Sequence, residues 1–201
     1  MHYLLIPFAY LMGSFPSAYV AGRMFAGIDI TKHGSGNVGG TNALRVLGPG
    51  PAILVAILDV AKALLPTVLA QHLFGGNTWP TLLVALAAVL GHNYSIFLGG
   101  RGGKGIATTI GASIALFTQP LAVVVGIAVV VIALTRYVSL GSLCLVVLLP
   151  PALWYFGASG AEIWFSVALA ALGIYRHRAN ISRLLSGTEN KLGRRKDAPG
   201  R

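Results

Sequence analysis

The fold turns on the reading of GIATTIGASIALFTQPLAVVVGIAVVVIALT, Gly105 to Thr135, a stretch with no charged residue. As a single helix its 31 residues would run about 46 Å, too long for one crossing of a hydrocarbon core about 30 Å thick without strong tilt. Gln119-Pro120 interrupts it near the middle, and proline ends or kinks a helix. Charge decides between one helix and two. Arg23, Lys32 and Arg45 follow the first apolar block, Arg101 and Lys104 the third, Arg136 the fifth, and the remaining basic residues except Lys62 fall in the tail from Arg176. With two helices here, all of these lie on one membrane face, and the connections Gly75–Trp79, Thr118–Pro120 and Gly157–Gly160 on the other face hold no Lys or Arg. The positive-inside rule makes the basic face cytoplasmic. A single long helix would put Arg136 and the whole tail outside.

The expected architecture is therefore all-α and polytopic, one membrane-embedded domain over residues 1–201 with seven transmembrane helices. The spans fall near 3–22, 51–74, 80–98, 105–118, 121–135, 138–156 and 161–175, followed by a basic cytoplasmic tail over 176–201. The N-terminus is outside and the C-terminus cytoplasmic. Composition agrees: 55% of residues are hydrophobic and 10% charged, against about a quarter charged in soluble domains, and the mean hydropathy is +0.76. The segment Met1–Gly22 lacks the basic start of a secretory signal and reads as a retained first span. The net charge of +10 is explained by these loops, so no nucleic-acid partner is expected. Cys144, alone in an apolar block, supports neither an internal disulfide nor a thiol–metal cluster.

Asp59 and Lys62 stand three apart inside the second block and share a helix face. Charges inside a span are functional candidates, and an intrahelical pair turned toward neighbouring helices explains them equally well.

Three polar clusters reach the cytoplasmic face from distant parts of the chain. The first is GSGNVGGTNALR, Gly34 to Arg45. Glycines let a backbone approach a ligand, Ser35, Asn37, Thr41 and Asn42 are neutral donors, and Arg45 brings a charged fork, a combination suited to phosphate. The string also contains GxGxxG at Gly34, Gly36 and Gly39, without the strand–turn–helix unit of a dinucleotide fold around it. The second is GGRGGKG, Gly99 to Gly105, preceded by Gly91-His92-Asn93. It departs from the ATP-binding pattern, with Leu98 at the first glycine position and Gly105 where Ser or Thr would hold magnesium. Glycine N–H groups beside Lys104 at a helix start still form an anion site, and a basic anchor for lipid head groups is the plainer alternative. The third runs from Arg176 to Lys191. Its Leu and Ile spacing suits an interfacial amphipathic segment, and His177 and Asn180, at i and i+3, point the same way.

No HExxH string, Cys/His array or acidic pair at ligand spacing is present, so neither a metal nor another cofactor is expected. The HxxxxD dyad of acyltransferases that use acyl-CoA is also absent.

At these clusters the chain resembles the bacterial acyl-phosphate:glycerol-3-phosphate acyltransferase family, PlsY, over nearly its whole length. A first motif similar to GSGNxGATN lies at Gly34–Asn42, with Gly40 in place of Ala. A second, similar to GHxxPxFLxFxGGKGVAT, is matched by Gly91-His92, Phe97-Leu98 and Gly102–Thr108, with Ser95 for Pro, Gly100 for an aromatic and Ile106 for Val. A third, similar to HRxNIxRLLxGxExK, covers His177–Lys191.

The resemblance implies a multi-pass protein of the bacterial cytoplasmic (inner) membrane with its site at the cytoplasmic face. It implies acyl transfer from acyl phosphate to the 1-hydroxyl of glycerol 3-phosphate, the first acylation of phospholipid synthesis. The products are lysophosphatidic acid and phosphate, with neither metal nor acyl-enzyme. Membrane lipid and an enzyme that produces acyl phosphate are the implied partners. Arg45 and Lys104 are expected to bind phosphate oxygens. Ser35, Gly36, Asn37, Thr41 and Asn42, with Gly102 and Gly103, are expected to donate to phosphate. His177 and Asn180 hold glycerol 3-phosphate, Ser139 and Ser142 add hydroxyls, and Glu189 and His92 are supports. The proton acceptor is either His177 or a substrate phosphate oxygen. A transporter for an anionic solute is the rival class, favoured by short helices and the Asp59–Lys62 pair and opposed by polar clusters confined to one face.

Overall fold

The computed structural model of the chain describes residues 2–76 and 78–193. Among these, all regular structure is helical. In chain order the α-helices are α1 (Leu5–Ser14), α2 (Ser17–Ala26), α3 (Gly40–Leu47), α4 (Pro49–Leu73), α5 (Thr78–Asn93), α6 (Ile106–Leu116), α7 (Thr118–Thr135), α8 (Val138–Tyr155), α9 (Gly160–Arg176) and α10 (Arg178–Leu185). Among the described residues, five stretches are long and apolar enough to cross a membrane: His2–Ala26, Pro49–Leu73, Thr78–Leu98, Thr118–Thr135 and Val138–Tyr155. Two of the expected spans correspond to shorter helices, α6 with 11 residues and α9 with 17. The basic residues Arg194, Arg195, Lys196 and Arg201, counted above in the tail, lie outside the described residues.

The decisive stretch is two helices, but the break falls at Phe117, with φ −142° and ψ 49°, rather than at Gln119-Pro120. Pro120 sits in the first turn of α7, where the missing N–H has no intrahelical partner to lose. Gln119 and Pro120 therefore extend the helix to 18 residues instead of ending it.

Small residues let the helices approach. A methyl group on Gly13 would strike the backbone of Ala88, joining α1 to α5, and one on Gly111 would strike the backbone of Val60, joining α4 to α6. A methyl group on Gly141 would meet the Ile132 side chain and the Ala128 carbonyl of α7. In a bilayer the hydrophobic effect does not drive helices together, so such close backbone packing contributes much of the association.

The first helical stretch is broken at Pro16, because the residue before a proline is pushed out of the helical region. The freed Phe15 carbonyl accepts a hydrogen bond from Lys62 Nζ at 2.9 Å, and Ser17 Oγ donates to Asp59. Lys62 and Asp59 are themselves paired at 2.8 Å and buried. The intramembrane pair thus stitches the α1–α2 break to α4.

Candidate active site

The loop between α2 and α3 is anchored from inside. Ile30, Val38 and Ala43 are buried against Ala18 and Ala21 of α2 and Val55 of α4. Asn42, 1% exposed, holds its shape: its Oδ1 accepts from Ser35 N at 2.8 Å, and its Nδ2 donates to the carbonyl of His33 at 3.1 Å. Gly34 and Gly36 adopt φ of 63° and 70°, the left-handed region that glycine enters without strain.

The Lys104 loop lies across the end of α5. Gly103 N donates to the carbonyl of His92 at 3.0 Å, and a methyl group on Gly103 would strike the His92 imidazole. The Lys104 ammonium donates to Asn180 Oδ1 of α10.

Beyond α10 the chain returns to the α7–α8 corner. Arg136, left-handed at φ 63°, donates from Nη2 to the Leu192 carbonyl at 2.8 Å, and Leu192 N donates to the Arg136 carbonyl at 2.7 Å. This return places Glu189 among three donors: Asn180 Nδ2 at 2.7 Å, Arg183 Nε at 2.7 Å and Ser139 Oγ at 3.0 Å. Burial opposes its charge, and these donors outweigh burial and hold its carboxyl below the usual range.

These segments enclose one cavity of about 670 Å³. Its polar wall includes Ser35, Asn37, Thr41, Arg45, Lys104 and His177. Asn42, His92, Ser139, Ser142, Asn180 and Glu189 also border it. Its apolar wall runs between helices and includes Ile53 of α4, Ile110 of α6, Val125, Val129 and Ile132 of α7, and Leu145 of α8.

Gly36, Gly102 and Gly103, expected as phosphate donors, are not among the residues that line the cavity. The N–H groups of Gly36 and Gly103 are already given to the carbonyls of His33 and His92. Asn42 likewise braces its own loop. Two further charged residues, Arg183 and Asp59, border the cavity. The spacing held a sign of Arg183, which stands three residues after Asn180 on the same helical face. Asp59 meets the site only because α4 packs beside α5, where His92 Nδ1 lies 3.6 Å from its Oδ1.

Charge at the polar wall is set by burial. Burial pushes the Lys104 ammonium down to about 8, Glu189 opposes this, and Arg183, Arg45 and Arg176 add to it. Burial and the nearby Lys104 push the His177 imidazole down to about 4, although the Gly173 carbonyl favours the charged form. That carbonyl lies 2.8 Å from His177 Nδ1 and can only accept, so Nδ1 carries the proton of the neutral ring and Nε2 keeps its lone pair. Among the described residues, no group of three His, Cys, Asp or Glu is placed to hold a metal ion.

The arrangement is a cationic pocket opening onto an apolar groove between membrane helices. The family model described as glycerol-3-phosphate acyltransferase matches residues 3–187. A glycerol-3-phosphate acyltransferase of Halalkalibacterium halodurans is 46% identical over 202 residues, 97% of each chain, and one of Shouchella clausii 47% over 194 residues, 94% of each. The crystal structure of PlsY (YgiH), an integral membrane glycerol 3-phosphate acyltransferase, in its glycerol 3-phosphate form superposes with a TM-score of 0.92 at 37% identity, covering 96% of both chains. Its lysophosphatidic acid form gives a TM-score of 0.89. With the family model matching residues 3–187 and relatives aligned over nearly the whole length, the chain belongs to the glycerol-3-phosphate acyltransferase family.

Proposed function

We propose that this multi-pass membrane protein transfers an acyl group from acyl phosphate to the 1-hydroxyl of glycerol 3-phosphate. The carrying observation is the two-sided cavity, with Arg45, Lys104 and Arg183 at one wall and an apolar groove between α4, α6, α7 and α8 at the other. That shape suits a donor with a phosphate head and a hydrocarbon tail, and three cations suit two phosphate groups held together.

In the reaction the 1-hydroxyl oxygen attacks the acyl carbonyl. A carbon–oxygen bond forms to glycerol, the mixed-anhydride carbon–oxygen bond breaks, and phosphate leaves with the electron pair. Lys104 and Arg45 oppose the growing charge on that phosphate, a contribution on the order of 3 kcal/mol for one well-placed donor. Neutral His177 offers Nε2 to the attacking hydroxyl and orients it. With its acidity near 4 it is a poor proton store at neutral pH, so the proton passes to a phosphate oxygen, whose second pKa is about 6. Ser35, Asn37, Thr41 and Ser142 supply neutral donors around the two phosphates, while Ser139 gives its hydroxyl to Glu189, and Asn180 and Glu189 hold the ammonium and Arg183 in place.

The helices cross the bacterial inner membrane seven times as one domain, N-terminus outside, with the site and C-terminus at the cytoplasmic face and acyl phosphate supplied by a separate enzyme. The one-sided distribution of Lys and Arg supports this orientation. Purified protein given palmitoyl phosphate or palmitoyl-CoA, each with glycerol 3-phosphate, tests the donor. Lysophosphatidic acid should form from the phosphate alone, and comparable turnover of the thioester would overturn the assignment.

A further inference from the structure

Residues 101–104 have no regular secondary structure, yet they carry the ammonium on which the proposed chemistry rests. One side of this loop is fixed by the end of α5, through the His92 carbonyl and ring. The other side is fixed by Arg176, in the last turn of α9. Its Nη2 donates to the carbonyls of Gly102 and Gly103, both at 2.8 Å, and its Nε donates to the Gly103 carbonyl at 3.0 Å. The guanidinium also lies over the Tyr94 ring, 5.2 Å from its centroid. Arg176 does not border the cavity.

We propose that Arg176 is a positioning residue for Lys104: its planar fork grips two consecutive carbonyls and fixes the loop from which the ammonium reaches the cavity. This rests on the role given to Lys104 above. The geometry explains why the loop is Gly102-Gly103. A methyl group at Gly102 would strike the His92 carbonyl and the Asn93 backbone, and one at Gly103 the His92 ring, so only glycine fits between α5 and the guanidinium. Hydrogen bonds from a charged donor are roughly twice as strong as neutral ones, and a fork fixes direction as well as distance. Asn180, four residues after Arg176, holds the ammonium itself. The α9–α10 junction therefore sets both the backbone and the tip of the lysine.

The test uses full-length protein purified in detergent, assayed with palmitoyl phosphate and glycerol 3-phosphate. Arg176→Gln should lower kcat about 10²-fold, the scale of a ~1 Å misplacement, with KM changed less than about threefold. In a Lys104→Ala background the same change should cost no more than about twofold, because its effect passes through the lysine. Equal losses in both backgrounds, or full activity of Arg176→Gln, would overturn the proposal.

The pH profile is a second readout and does not need residual turnover in the double variant. The charged or titratable groups around Lys104 are Glu189, Arg183, Arg45, Arg176 and His177. Removing the Arg176 charge and loosening the loop both favour the ammonium, so the alkaline limb of activity should move to higher pH. A reduced kcat with an unmoved limb would mark general damage and overturn the proposal. If Arg176→Gln is lost from the soluble detergent fraction, Arg176→Lys replaces it. One ammonium cannot reproduce the fork, so about tenfold lower kcat is expected, and wild-type kcat would overturn the proposal. Wild-type turnover by Lys104→Ala alone would instead remove the reading of the site on which this inference stands.

Discussion

Lys104 sits where three parts of the chain meet: the loop after α5, the Asn180 side chain, and the surrounding charges of Glu189, Arg183, Arg45 and Arg176. Burial already weakens its hold on the proton. In the proposed role the charged form is the one that opposes phosphate, so activity should fall as pH rises through the lysine's acidity, about 8. A pH series of kcat/KM should show that loss above about pH 8, well below the ordinary lysine range near 10.4. Lys104→Ala should remove the alkaline limb and lower kcat by about 10² or more. Lys104→Arg should recover only part, because a planar fork does not replace a point charge aimed at Asn180. Near-normal turnover by the alanine variant, with its fold intact by size-exclusion chromatography, would refute the assignment.

At the scale of elements, the same residue type plays opposite parts. Gly111 is where α6 meets the backbone of Val60 on α4, and a methyl group there has no room. Gly126 of α7 has open space around its Cβ direction. Gly111→Ala should force the helices apart and cost about 1–3 kcal/mol, the range for overpacking. Gly126→Ala should be neutral or add up to about 1 kcal/mol, since alanine loses less backbone freedom in a helix. Thermal denaturation of the two variants in one detergent compares them, and a midpoint for Gly111→Ala at or above wild type would show that this contact does not limit α4–α6 packing.

At the scale of the molecule, the proposed orientation predicts which surfaces a membrane-impermeant thiol reagent reaches. With Cys144 replaced by alanine, Ser186→Cys should react only after the membrane is opened. Thr78→Cys, at the opposite end, should react in intact cells. A tail labelled from outside would reverse the topology and remove the cytoplasmic site with it. The return of residues 186–193 to Arg136 belongs to this scale too. It carries Glu189 across to Ser139, so a residue near the end of the described chain completes a site that begins at Ser35.

The amino-acid sequence by itself determined the membrane class, the helical architecture, the three polar clusters and the family, because partition into a bilayer sums over contiguous residues and each motif is a local string. Tertiary structure decided what depends on partners far along the chain. Pro120 looked like a breaker, and the structure begins α7 two residues before it. Gly36, Asn42 and Gly103 looked like phosphate donors, but which N–H groups remain free depends on carbonyls such as His92 that spacing does not reveal. Asp59 and Lys62 were a charged pair without a role until the Pro16 break lay beside them. Arg176 and Arg183 were two cations in a basic tail, and only packing turned one toward the glycine carbonyls and the other toward Glu189. Local chemistry is written residue by residue, but a hydrogen bond needs both of its ends, and folding brings the second one.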